Sequence, residues 1–185
     1  MSVQLARKRF TTADYNRMIE VGLLGKDDHV ELIDGEIFEM SPIGPRHAAC
    51  VDRLNTFLHA LSFQWIIRVQ SPIQIDPDSE PQPDLALLKA RADFYSSGHP
   101  TVADVLVVIE VSDTTLEKDR GVKLPLYARA GIPEAWVVDL YNDRVEVHSD
   151  PLNGIYQRSR IVQRDQDVQS DVIPQLKLPA NEILG

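Results

Sequence analysis

The run Val107-Val108-Ile109-Glu110-Val111 places a carboxylate inside an otherwise apolar strand. An ionised carboxylate in such surroundings costs several kcal/mol unless a cation or hydrogen-bond donors meet it. A second acid, Asp84, follows Pro83 at the opening of another apolar run, PDLALLK. If the two strands are neighbours, both carboxylates project from one sheet surface and form a hard-oxygen site suited to Mg²⁺ or Mn²⁺. Lys123 lies about three turns into the segment that follows Glu110, where an ammonium group can reach back to the strand end. With Asp119 and Tyr127 it falls at i, i+4 and i+8, so one helical stripe carries an acid, a base and a phenol.

Each of these residues also has a purely structural reading. Glu110 can form an ion pair with Lys118, Arg120 or Lys123. Asp84, after a proline, can serve a turn with its side chain. Tyr127 is expected to face the core and Asp119 to be a solvated partner of Lys123.

The elements that would hold these groups follow from periodicity. Thr12 to Leu24 has Thr11 or Thr12 as a candidate N-cap and apolar residues at Tyr15, Met18, Ile19 and Leu23, the pattern of a surface helix. HVELIDGEIFEM alternates around Asp34-Gly35, which predicts a hairpin. Arg46 to Ser62 places Val51, Leu54, Leu58 and Leu61 at helical spacing. Strands are predicted over WIIRVQSPIQI, PDLALLK, DVLVVIEVS and EAWVVDL, with a loop at 91–100 and a helix from Asp113 to Gly131. Pro125 removes a backbone donor within that helix and should kink it. RVEVHSD and IYQRSRIVQ read as an antiparallel pair, and the tail from Ser170, with Pro174 and Pro179, as a loosely packed or edge segment. The strand–helix–strand order predicts an α/β fold with a mixed sheet flanked by helices, preceded by a helix and a hairpin.

The chain has 185 residues, 43% hydrophobic and 25% charged, which fits one domain over residues 1–185. No run is apolar enough for a membrane span and MSVQLARKRF lacks the apolar stretch of a signal peptide, so a cytoplasmic protein with no membrane partner is expected. The only cysteine, Cys50, excludes an intrachain disulfide and reads as a small core residue. His29, His59, His99 and His148 show no ligand spacing, and no GxxxxGK[ST] loop or Ser-His-Asp pattern is present. The formal charge of −9 opposes a broad basic face for coating nucleic acid, yet it fits carboxylates that hold a metal beside a phosphate.

VELIDGEIFEMSP, His47 at the head of the next helix, SEPQPDLALL and VVIEVSDTTLEKDRGVKLPLYARAGIPEAWVVDL together resemble the Uma2 group, also called domain of unknown function 820, in the PD-(D/E)xK nuclease superfamily. The resemblance covers nearly the whole chain and implies a restriction-endonuclease-like core. It implies that Asp84 is the aspartate of the PD element and Glu110 the acid of the (D/E)xK element, with Ser112 standing where the usual lysine is found. The lysine role falls to Lys123 in RGVKLPLYARAG, with Lys118 as competitor. It further implies that Asp84, Glu110 and the main-chain carbonyl of Val111 hold Mg²⁺ or Mn²⁺ for phosphodiester hydrolysis. Glu31 and His47 would then lie at the rim as an extra ligand and a phosphate contact. Their structural readings are a solvent-facing hairpin residue and a helix-start residue. A DNA substrate and a homodimer, with one site per strand, follow from the resemblance alone. The alternatives are a binding or assembly protein that keeps the fold without turnover, and a hydrolase of a small phosphorylated substrate.

Overall fold

The computed structural model describes residues 7–25, 27–61 and 64–185. The Ser62 end of the second predicted helix, and most of the N-terminal stretch read for a signal peptide, lie outside these residues. Thr11 caps α1, Thr12–Glu20, through a reciprocal box in which its hydroxyl accepts from the Asp14 N–H and the Asp14 carboxylate accepts from the Thr11 N–H. The helix ends one turn earlier than the apolar pattern suggests, at Val21-Gly22, and Leu23 stays exposed.

Strands β1, Val30–Ile33, and β2, Glu36–Glu39, pair around Asp34 and Gly35, which both adopt positive φ, 48° and 75°. This is the left-handed pair that a two-residue hairpin turn requires. α2, Pro45–Leu61, buries Cys50, Val51, Leu54 and Leu58, and Cys50 is the small core residue expected.

The main sheet has six strands in the order β3-β4-β5-β6-β7-β8: Trp65–Val69, Leu85–Lys89, Val105–Ser112, Glu134–Asp139, Arg144–Leu152 and Ile155–Gln163. Only β5 and β6 are parallel, and the helical segment between them supplies the crossover. Strand β3 is shorter than WIIRVQSPIQI because the chain turns at Gln70, and residues 73–75 leave the sheet.

The registers Glu110↔Val137↔Glu146 and Ile109↔Trp136↔Val147 separate the two sheet faces. On one face Val107, Ile109, Val111, Trp136, Val138 and Val145 join the apolar stripe of α2. The other face carries Val108, Glu110 and Ser112 and is covered by the crossover segment, with Tyr127 packed on Val108 and Ala135.

The predicted helix over 113–131 is not continuous. A short turn, α3, Leu116–Lys118, runs into a π turn, Asp119–Lys123, and then α4, Leu124–Ala130. In the wide turn the Leu124 N–H reaches the Asp119 carbonyl five residues back, so Pro125 falls in the first turn of α4, where its missing donor is tolerated. Gly131, at φ 80°, closes α4 with its N–H on the Ala128 carbonyl.

The tail corrects its sequence reading. β9, Asp167–Gln169, pairs with β10, Lys177–Pro179, and α5, Ala180–Leu184, follows. Leu176, Leu178, Ala180, Ile183 and Leu184 are buried in the same core as α2. The prolines lie at a turn and at the residue preceding α5, and so do not keep the segment from packing. Arg53 of α2 fastens this end by donating to the carbonyls of Ile183 and Leu184, at 3.0 and 2.9 Å.

Candidate active site

Asp84 and Glu110 come together because β4 and β5 are antiparallel neighbours. The register Leu85↔Ile109, continued by one residue, sets Asp84 opposite Glu110 on one face. The Val111 N–H donates to Asp84 Oδ2 at 2.8 Å. In a strand the N–H and C=O of one residue point to the same edge, so the Val111 carbonyl also faces Asp84. His47, in the first turn of α2, brings Nε2 to 3.0 Å from Asp84 Oδ1, and this contact raises the imidazole pKa.

Glu110 is 4% exposed. Tyr127 donates its hydroxyl to Oε1 at 2.5 Å, and the Lys123 ammonium lies 3.2 Å from Oε2. Burial holds the Glu110 carboxyl well above its ordinary pKa, with Lys123 and the Tyr127 hydroxyl pulling the other way. Lys123 is 5% exposed, and its ammonium also contacts the Gln82 carbonyl at 3.2 Å and Glu31 Oε2 at 3.3 Å. Burial opposes that charge, but Glu110, Glu31, Asp119 and Asp84 outweigh it and raise the lysine pKa. Tyr127 thus both faces the core and touches Glu110. Of the structural partners offered for Glu110, Lys123 reaches it, whereas Arg120 pairs with Asp139 and Glu146.

Glu31 does not face solvent from its hairpin. It is fully buried, with Lys118 at 2.9 Å, Lys123 at 3.3 Å and the Gln82 N–H donating to it at 3.0 Å. Burial works against its charge, but Lys123 and Lys118 prevail and lower its pKa. Lys118, the competing lysine, therefore serves Glu31 and the Glu39 carbonyl. Asp119 is also buried, which corrects its reading as a solvated partner of Lys123. Its Oδ2 accepts from the Ser112 and Thr115 hydroxyls at 2.7 and 2.6 Å, and burial raises its pKa. Asp119 and Lys123 bound the π turn and are both buried. Ser112 donates its hydroxyl to Asp119.

Glu31, His47, Asp84, Glu110, Val111, Lys118, Asp119 and Lys123 line one cavity of about 520 Å³, walled on one side by Met40-Ser41-Pro42-Ile43 and on another by Gln70 and Gln82. Sequence reasoning missed both glutamines. Gln82, between two prolines next to Asp84, had a positional signal, but neither carries a charge. Gln82 acts through its backbone, donating to Glu31 and accepting from Lys123.

Four carboxylates line the cavity, Glu31, Asp84, Glu110 and Asp119, against two ammonium groups, Lys118 and Lys123. With these six ionised the excess is two negative charges, and it falls to one when His47 is protonated. Among the described residues no three His, Cys, Asp or Glu side chains form a metal cage. Two carboxylates and a main-chain carbonyl, the rest of the shell being water, suit Mg²⁺ better than a soft metal. The donors fit in type, and the cavity carries more carboxylates than lysines.

The six-stranded mixed sheet with flanking helices defines the fold class, and the comparisons agree with it. The Uma2 family model, described as "Putative restriction endonuclease", matches residues 12–181, and the chain belongs to this family. A crystal structure of "a putative nuclease belonging to DUF820" from Anabaena variabilis ATCC 29413 superimposes with a TM-score of 0.67 at 15% identity, over 95% of this chain and 97% of that one. At that identity the likeness is one of fold. Among curated proteins none matches. No helix among the described residues is long and apolar enough to cross a membrane.

Proposed function

We propose that the protein is a divalent-metal-dependent endonuclease that hydrolyses phosphodiester bonds, with DNA as its substrate. The observation that carries this reading is the pairing of Asp84 and Glu110 across β4 and β5, with Lys123 set against Glu110 inside the cavity. Asp84, Glu110 and the Val111 carbonyl would hold Mg²⁺ or Mn²⁺, which when bound lowers the pKa of a water and stabilises charge on the scissile phosphate. The donor set and the charge excess support that assignment.

The residues divide the remaining work. Lys123, surrounded by carboxylates, keeps its proton at neutral pH, so it donates hydrogen bonds to a phosphate oxygen or to the attacking water and does not act as a general base. His47 and the Val111 N–H orient Asp84, and Tyr127 orients Glu110. Glu31 pairs with both lysines and holds them in place.

Supercoiled DNA, single strands, RNA and nucleotides incubated with Mn²⁺ or Mg²⁺ test the reaction and the substrate together. Cleavage of DNA is expected, and it should fall at least about 100-fold in folded Asp84→Ala and Glu110→Ala proteins. Variants that cut as fast as the parent would falsify the assignment.

A second reading, a binding or assembly protein without turnover, is favoured by Ser112, which stands in the usual lysine position and is engaged with Asp119. Calorimetric titration separates the two. An intact centre binds Mn²⁺ and loses it with Asp84→Ala, whereas a degenerate one takes up no Mn²⁺.

A further inference from the structure

Gln70 follows the last residue of β3 and adopts φ 44°, a left-handed conformation that side chains with a Cβ rarely occupy. Asp34, Asp143, Asp150 and Asn153 also have positive φ, but they are the short polar types that tolerate it, and Phe94 and Tyr95, at 51° and 60°, lie together in the turns of the 91–98 loop, whereas Gln70 stands alone at a strand end. Gln70 gains nothing comparable from its own chemistry, so the surrounding structure imposes the conformation.

What the conformation achieves is visible at Asp84. The Gln70 N–H donates to the Asp84 carbonyl at 2.9 Å, which extends the β3–β4 ladder by one rung and fixes the backbone of Asp84. The side chain turns back to the same residue, and Nε2 donates to Asp84 Oδ1 at 3.3 Å, the oxygen that also faces His47. One glutamine thereby holds both the main chain and the carboxylate of Asp84. It does so from the wall of the cavity, where it is solvent-exposed and has no core to fill. Backbone strain retained at a site and spent on the orientation of one acid is the pattern of a functional constraint.

We propose that Gln70 is a positioning residue. Its strained turn and its amide aim Asp84 so that Oδ2, which has one protein donor, keeps a lone pair for the metal ion. This rests on the metal-dependent reading of the cavity. Asp84 is the acid that needs such help, because it opens β4 from the exposed end, whereas Glu110 is locked by burial.

Two variants and two measurements test the role. Gln70→Gly removes both the amide and the strain, and Gln70→Ala removes only the amide. By calorimetry both should bind Mn²⁺ about 10-fold or more weakly than the parent. In thermal melts without metal, Gln70→Gly should melt at or above the parent and Gln70→Ala below Gln70→Gly. A residue that merely stabilised the fold would give the reverse, a lower melting temperature for Gln70→Gly with Mn²⁺ affinity unchanged, and that result overturns the proposal. A parent that binds no Mn²⁺ overturns the metal reading and this inference with it. A parent that binds while both variants bind equally well overturns this inference alone.

Discussion

Glu110 is held by two groups of opposite character, a phenol at 2.5 Å and an ammonium at 3.2 Å. A buried polar atom left without its partner costs about 1–3 kcal/mol, so Tyr127→Phe should destabilise the fold by that order while leaving the ring packed. The pH dependence has a definite sign. Burial raises the Glu110 pKa, so the fold is favoured with Glu110 protonated and loses stability as pH rises through its folded value. The Tyr127 hydroxyl opposes the raised pKa, and its loss moves that value further up. The acid limb of a pH–rate profile should therefore move to higher pH in Tyr127→Phe, and an unmoved limb would mean that Glu110 does not titrate in the reaction. At this scale the sequence was informative where burial and charge conflict. Glu110 and Asp84 announced themselves by their apolar context. Asp119 did not, because its partners Ser112 and Thr115 are ordinary strand-end and loop residues until the chain folds them over it. Gln70 was illegible, since its role depends on a backbone angle that no residue type encodes.

Among the elements, those governed by local chemistry were readable and those governed by packing were not. Asp34-Gly35 specified its hairpin, and Gly35 has a second reason to be glycine: a Cβ there would lie 2.6 Å from the Arg9 Cβ and 3.1 Å from the Phe10 carbonyl. Gly35→Ala combines left-handed strain with this clash, and a loss of about 1–3 kcal/mol is expected in a denaturant titration. A loss well under that range would show that residues 9–10 move aside freely. Because β1 carries Glu31, the same variant should also loosen the lysine pair. Pro125 signalled an irregularity, but its form, a π turn ahead of the proline, depends on Asp119 and Lys123 both being drawn to the cavity. The tail was misread because its prolines suggested looseness, while the burial of Ile183 and Leu184 against α2 is a long-range contact without a local signature.

Across the whole molecule the charge of −9 is unevenly paired. Asp139 and Glu146 meet Arg120 and Arg144, whereas the cavity has two more carboxylates than lysines. With the acids ionised that excess is a repulsion, and a divalent ion that removes it should stabilise the native state by mass action. At about 100 times its dissociation constant the gain is about 2.7 kcal/mol. For a chain of 185 residues this corresponds to a rise in Tm of about 5–11 °C. Differential scanning with Mn²⁺ against KCl of equal ionic strength separates specific binding from screening, because screening acts on exposed charges and only weakly on buried ones. The rise should vanish with excess chelator and in Asp84→Ala. A rise of the same size in that variant would place the ion elsewhere on the acidic surface and leave the cavity's charge excess to be met by protonation of Glu110 or Asp119, the two acids whose pKa burial already raises.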